Sequence, residues 1–140
     1  MFFGNQTEQT RQYFYDAWHK FQKKEVLSPL EKQLVAVISD HPEYHELLKN
    51  PQKKHQDYYP ELGQSNPFLH MGFHLALREQ IQTDRPGGIR SIYKKLEKKY
   101  GQLETEHRMM EPLAEALWLA QKNQCMPDET RYLHALQCIN

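Results

Sequence analysis

Two histidines stand four residues apart within the most apolar stretch of the chain. They are His70 and His74, two of eight histidines, and at 1.5 Å per residue such a pair lies on one face of a helix, about 6 Å apart along its axis. Two imidazoles at this spacing can share one metal ion. The apolar neighbours predict that at least one is buried, which favours the neutral, metal-ligating imidazole. The alternative is a pair of core histidines that hydrogen-bond to carboxylates or to the backbone.

A second set of ligand-type residues follows at helical spacing later in the chain. Its members are Glu104, His107, Glu111 and Glu115, separated by three and four residues. The Glu-x-x-His spacing of the first two is the one used in ferritin-like di-metal bundles. Pro112 removes one backbone hydrogen bond, and a kink there would turn Glu111 inward. The alternative is a solvated acidic flank that carries a single structural histidine.

The predicted metal site combines these two sets with a third histidine cluster at 41–46. Within this cluster His45 is expected to reach the centre of the fold, whereas His41 is expected to cap its helix. Glu79 or Glu115 is expected to orient an imidazole through its second nitrogen. Nitrogen and oxygen donors favour iron, zinc or manganese, as one divalent ion or two, and no organic cofactor is expected. The predicted metal ligands are His70, His74, His107, Glu111 and His45.

Hydrophobic periodicity predicts helices throughout the chain and no strand. The clearest helix, near residues 67–82, is apolar around its whole circumference, which is typical of a buried central helix. Residues 51–66 are predicted to form a long loop that packs through its tyrosines. The sequence therefore predicts an all-α fold, a single-domain helical bundle of about six to seven helices covering 1–140. The other helices are expected at 7–24, from a capping box at 28–31, at 42–49, at 89–100, at 103–123 and from 127 onward.

Composition and charge exclude several classes of protein. The 140 residues fit one domain, and 18 basic against 18 acidic residues leave a net charge of zero, which argues against a nucleic-acid-binding protein. No apolar run reaches the roughly 18 residues of a membrane span. The first residues lack the pattern of a signal peptide, and the two cysteines form no CxxC motif. A cytoplasmic location is therefore expected. The sequence leaves open whether the protein has a protein partner or forms a homo-oligomer.

Long motifs extend across the chain from its first residues to the late helix. They occupy 1–4, 16–18, 41–45, 66–74, 78–80, 84–86, 106–111 and 115–118. Together they resemble a small bacterial family, the domain of unknown function numbered 1841, over nearly the whole length. The resemblance implies a short cytoplasmic bacterial protein and supplies no reaction.

The helical histidine pattern is also similar to hemerythrin-like bundles and to the DNA-damage-inducible (DinB-like) metal bundles. In the latter, one histidine precedes a His-x3-His pair. The sequence departs from hemerythrin in the number and order of its His-x3-Glu and His-x4-Asp pairs. It therefore predicts a small helical protein that binds a divalent metal, without indicating a reaction. The competing interpretation is a non-catalytic protein–protein interaction module, in which the same side chains form a buried hydrogen-bond network.

Overall fold

The backbone of the computed structural model, which describes residues 7–140 apart from the side chains of Thr7 and Pro60, is helical and contains no strand. The motif at 1–4 and the segment expected not to be a signal peptide lie outside these residues. The described part confirms the predicted all-α class and the number of helices. The α-helices are α1 (Thr7–Gln22), α2 (Pro29–Ser39), α3 (His45–Leu48), α4 (Pro67–Thr83), α5 (Ile89–Tyr100), α6 (Gln102–Lys122) and α7 (Glu129–Gln137). Short 3-10 helices cover Pro42–Tyr44, Pro51–His55 and Pro60–Leu62.

The chain divides into two compact units, and the first extends to Leu75. Its main contact joins α1 to α2. Apolar residues three and four apart give each helix one apolar stripe, and removing these stripes from water is the main source of stability. The core is formed by Phe14, Tyr15, Ala17, Trp18, Leu34, Val35, Val37, Ile38, Leu48, Phe68, Met71 and Leu75.

A capping box fixes the start of α2, as the sequence predicts. The Ser28 hydroxyl accepts a hydrogen bond from the Glu31 N–H at 3.2 Å, and the Glu31 carboxylate accepts one from the Ser28 N–H at 2.8 Å. Lys20 of α1 contacts the same carboxylate at 2.8 Å. The hydrogen bond from Lys20, followed by that from the Ser28 backbone, lowers the pKa of Glu31. The capping residue Glu31 therefore also links α2 to α1 through its ion pair with Lys20.

Replacing Ser28 with alanine is expected to lower the free energy of unfolding by about 1 kcal/mol, because a backbone N–H at the helix start loses its side-chain acceptor. Urea denaturation measures this loss. The matched control is Ser91→Ala on an exposed position of α5, which is expected to change stability by less than about 0.5 kcal/mol. Equal losses in the two variants would contradict the role of the cap.

A buried arginine holds the segment between α3 and α4. The Arg11 Nη1 donates hydrogen bonds to the carbonyls of Lys54 and Gln56 at 2.7 and 2.8 Å, and its guanidinium lies 5.6 Å from the Tyr58 ring. The segment predicted as a loop, 51–66, contains two short 3-10 helices, Pro51–His55 and Pro60–Leu62. Tyr58 packs against the core, as expected, whereas Tyr59 is exposed.

The second unit begins at Ala76, inside α4, and contains α5, α6 and α7. The Tyr132 hydroxyl donates a hydrogen bond to the Gln80 side chain at 2.7 Å, and burial raises the pKa of Tyr132. Because the chain forms two compact units, the single domain expected for 1–140 stays a prediction. Buried residues of α5, α6 and α7 include Ile89, Tyr93, Leu96, Met109, Leu113, Ala120, Tyr132 and Leu136.

α4 is buried along most of its length, which confirms the prediction that this helix is buried. Its start is capped by Asn66, whose Oδ1 accepts hydrogen bonds from the backbone N–H groups two and three residues on, at 3.0 and 3.2 Å. Met71, His74 and Leu77 have no exposed surface, whereas Leu69 is exposed. None of the described helices is both long and apolar enough to cross a membrane.

Candidate metal centre

Consecutive turns of α4 bring His70 and His74 together. Their Nε2 atoms lie 3.3 Å apart, and their ring centroids are 4.9 Å apart at an interplanar angle of 80°. His74 is fully buried and His70 is half-buried. The helical spacing therefore points one ring nitrogen of each residue at the other, as the sequence predicts.

The distance between the two nitrogens fits a shared metal ion. A tetrahedral ion with metal–nitrogen bonds of about 2.0–2.1 Å places two ligand nitrogens roughly 3.3–3.4 Å apart. The 3.3 Å separation of the Nε2 atoms of His70 and His74 matches this value. The same separation is also within reach of a hydrogen bond between one protonated and one unprotonated nitrogen.

His41 supplies a third imidazole, which the sequence interpretation assigned to a helix cap. It is 3% exposed and makes no capping hydrogen bond, so the interpretation was wrong. Its Nδ1–H instead donates to the Val37 carbonyl at 2.8 Å. This bond fixes the tautomer and leaves the lone pair on Nε2. Its ring centroid lies 5.1 Å from that of His70 and 4.6 Å from that of His74.

The three imidazoles form a cluster, defined here as the histidine triad, with the geometry of a metal site. One ring nitrogen from each of His41, His70 and His74 lies within 4.8 Å of the others. The triad belongs to the first compact unit. Two of its members come from α4, and the third follows the end of α2. Three neutral nitrogen donors that converge in this way can hold a divalent transition-metal ion.

Tyr44 lies against two members of the triad. Its ring is nearly parallel to that of His41, at 8° and 5.5 Å between centroids, and meets the ring of His70 edge-on at 6.3 Å. Desolvation by burial raises the pKa of Tyr44. Tyr44 stands between His41 and His45 in the motif at 41–45.

The comparison with protein families agrees with the motifs. The family described as Domain of unknown function (DUF1841) matches residues 6–138. The chain belongs to this family. The match covers the whole triad and all of the predicted ligands, and it confirms the resemblance drawn from the sequence. No curated protein and no solved structure matches the chain.

His45, the predicted ligand on α3, makes structural contacts instead of joining the triad. Its Nε2–H donates to the Ile38 carbonyl at 2.8 Å, and its ring lies 4.6 Å from that of Trp18. The chain leaves the helical conformation at His41, where φ is −127° and ψ is 70°. Because of this bend, His41 and His45 do not follow one helical register, and His45 faces α1.

The remaining predicted residues lie on the second unit and are exposed. They are His107, Glu111 and Glu115 of α6 and Glu79 of α4. Glu115 lies 3.4 Å from Arg131 on α7. Their roles as ligands or as partners of the ligands stay predictions.

Pro112 does not end α6. The helix continues from Gln102 to Lys122 with Pro112 inside it. Glu111 remains on the exposed side, so the proline does not turn its carboxylate inward.

The buried carboxylate of α6 is one that the sequence interpretation did not select. Glu106 is 1% exposed, and the Arg78 guanidinium binds both its oxygens, with Nε at 3.0 Å from Oε2 and Nη2 at 3.2 Å from Oε1. Gln102 donates a further hydrogen bond at 3.4 Å. Two-point contact of this kind is the strong form of the arginine–carboxylate pair. It accounts for the presence of a charge in the core of the second unit.

Proposed function

We propose that the protein binds one divalent transition-metal ion through the histidine triad. The observation that supports this is the convergence of three ring nitrogens, from His41, His70 and His74, to within 4.8 Å of one another. Imidazole ligands suit zinc and iron, whereas manganese prefers carboxylate oxygen. We therefore expect zinc or iron as the resident ion, with manganese third.

The hydrogen bond between His41 and the backbone supports the metal proposal. Each neutral imidazole has one N–H and one lone pair. His41 uses its N–H on the Val37 carbonyl, and the lone pair of its other ring nitrogen can therefore bind a metal ion. The hydrogen bond to Val37 is also the kind of outer contact that orients a metal-bound histidine.

We propose His107 and Glu111 as additional ligands, and a variant of each residue tests this role. Both lie on α6 in the second unit. His107→Ala and Glu111→Ala are each expected to lower metal affinity if the residue is a ligand, since His, Asp and Glu side chains are ordinary zinc and iron ligands. Unchanged affinity in both variants would restrict the site to the triad.

Elemental analysis of the purified protein tests the proposal. Untagged protein prepared without chelators is expected to carry close to one zinc or iron per chain, measured by mass spectrometry. The variant His70→Ala/His74→Ala is expected to lose at least about 100-fold in affinity, because two of three ligands are gone. The control variant His19→Ala/His55→Ala removes two exposed histidines of the same unit and is expected to keep the metal.

The second candidate function is a protein–protein interaction module with a structural histidine network. The 3.3 Å contact between His70 and His74, which is also a hydrogen-bond distance, supports it. Protein that takes up no zinc, iron or manganese after reconstitution would contradict the metal proposal and favour this one. In that case His74→Ala is expected to destabilise the fold, because the half-buried His70 would lose this hydrogen bond.

The cytoplasm of a bacterium is the proposed setting of the protein. The support is the family resemblance together with Cys125 and Cys138, which are exposed and unpaired in any disulfide among the described residues. Exposed free thiols persist in a reducing compartment. Secretion of the native protein into the periplasm, detected by fractionation, would contradict this assignment.

A further inference from the structure

We infer that the exposed side of α5 binds the phosphate backbone of duplex DNA without reading its sequence. This side of the helix is defined here as the basic face, and it consists of Lys94, Lys95, Lys98 and Lys99. The inference is independent of the proposed metal site, because the basic face lies on the second unit and the histidine triad on the first.

The uneven distribution of charge along the chain is the first argument. The net charge of the whole chain is zero, yet α5 carries five basic residues and one acidic residue, Glu97. All four lysines of the basic face are exposed. A local concentration of positive charge attracts a polyanion even when the protein as a whole is neutral.

The spacing of the lysines is the second argument. At about 100° per residue they are centred on the side of α5 opposite its buried residues, Ile89, Tyr93 and Leu96. The helix dipole favours lysines in the last turn, which accounts for Lys98 and Lys99. It does not account for Lys94 and Lys95, which stand four residues before them, a spacing at which like charges destabilise a helix. The stability of α5 alone therefore does not explain the basic face, whereas contact with several phosphates does.

The composition of the basic face favours a nucleic acid over a membrane or a protein. Helices that bind membrane surfaces insert an apolar side into the lipid, but Ile89, Tyr93 and Leu96 of α5 are buried within the protein. Protein interfaces are enriched in aromatic residues and arginine and depleted in lysine. Lysine is instead a common ligand of phosphate, to which it presents a point charge.

The position of the aromatic residues favours duplex DNA over a single strand. Proteins that bind single strands stack the bases on aromatic rings. Tyr93 is buried, and the ring of Tyr100 lies against Arg108 and Lys99, at 3.9 and 5.2 Å from its centroid. The start of α5 is capped by the Asp84 carboxylate, which accepts hydrogen bonds from two backbone N–H groups at 3.2 and 3.0 Å. The lysines are therefore the groups of α5 that contact phosphate.

Fluorescence anisotropy with a short fluorescein-labelled DNA duplex tests the inference. The wild-type protein is expected to bind the duplex at low salt with a dissociation constant below about 100 μM. If four phosphates are neutralised, the logarithm of the binding constant falls with the logarithm of the salt concentration with a slope of about −3.6. Lys94→Gln/Lys98→Gln removes half of these contacts. It is expected to weaken binding about 10- to 100-fold and to reduce the slope to about −1.8.

The matched control is Lys23→Gln/Lys32→Gln, which removes the same charge from two exposed positions of the first unit. It is expected to bind the duplex as the wild type does. Failure of the wild type to bind the duplex, or equal losses in the two variants, would overturn the inference. Binding to phosphatidylglycerol vesicles but not to DNA would show a membrane surface in its place. Tighter binding to single-stranded RNA than to the duplex would contradict the assignment to duplex DNA.

Discussion

Replacing Glu106 with glutamine is expected to destabilise the protein by about 3 kcal/mol, the lower end of the cost of breaking a buried ion pair. Glutamine keeps the size of the side chain, so the loss reports on charge and not on a cavity. It leaves Arg78 without its carboxylate in a site where the acid is 1% and the base 18% exposed. The residual exposure of Arg78 gives it some access to water, which is why the smaller value is expected. Urea denaturation measures the loss.

A matched control lies two residues away on the same helix. Glu104 contacts Arg108 at 3.4 Å, with side chains that are 51% and 43% exposed. Glu104→Gln is expected to change stability by less than about 0.5 kcal/mol, because exposed pairs are screened by water and salt. The double variant Arg78→Met/Glu106→Leu is expected to recover most of the loss, since an apolar pair leaves no buried charge behind. Equal costs for Glu104→Gln and Glu106→Gln would contradict a stabilising role of the buried pair.

The position of Glu106 shows where the sequence interpretation of α6 failed. Helical spacing correctly placed Glu104, His107 and Glu111 on one face, but periodicity does not say which face is buried when apolar residues occur on several sides. Glu106 is one residue from His107, a rotation of about 100° around the helix. Its burial depends on Arg78 from another helix, a partner that no local pattern identifies.

Helical spacing predicts two members of the triad, and it does not predict the third. The His70 and His74 pair was predicted correctly because four residues of α-helix fix both side chains on one face. His41 was missed because it stands outside a regular helix, at a bend between α2 and the 3-10 helix at Pro42–Tyr44. Its direction depends on the hydrogen bond to the Val37 carbonyl. The same bend separates His45 from the register of His41, and its Nε2–H donates to the Ile38 carbonyl.

Loading the protein with zinc is expected to raise its melting temperature by about 10 °C over the chelator-treated protein. A ligand that binds only the folded state at 100 to 1,000 times its dissociation constant adds about 3–4 kcal/mol of stability. For a chain of this size each kcal/mol corresponds to roughly 3–4 °C. The triad joins α4 to the end of α2, so the ion would link segments that are about 30 residues apart. Differential scanning calorimetry with and without zinc measures the shift.

Variants at His74 separate stabilisation by metal from stabilisation by a hydrogen-bond network. His74→Leu fills the fully buried position with an apolar side chain of similar size, and the metal-free protein is expected to lose less than about 1.5 kcal/mol. The same variant is expected to lose the zinc-induced shift, because one of three ligands is gone. His19→Ala/His55→Ala is expected to keep the full shift, which excludes weak binding by surface histidines as its source. If zinc leaves the wild type unchanged and His74→Leu costs several kcal/mol without metal, the triad is a hydrogen-bonded core element and not a metal centre.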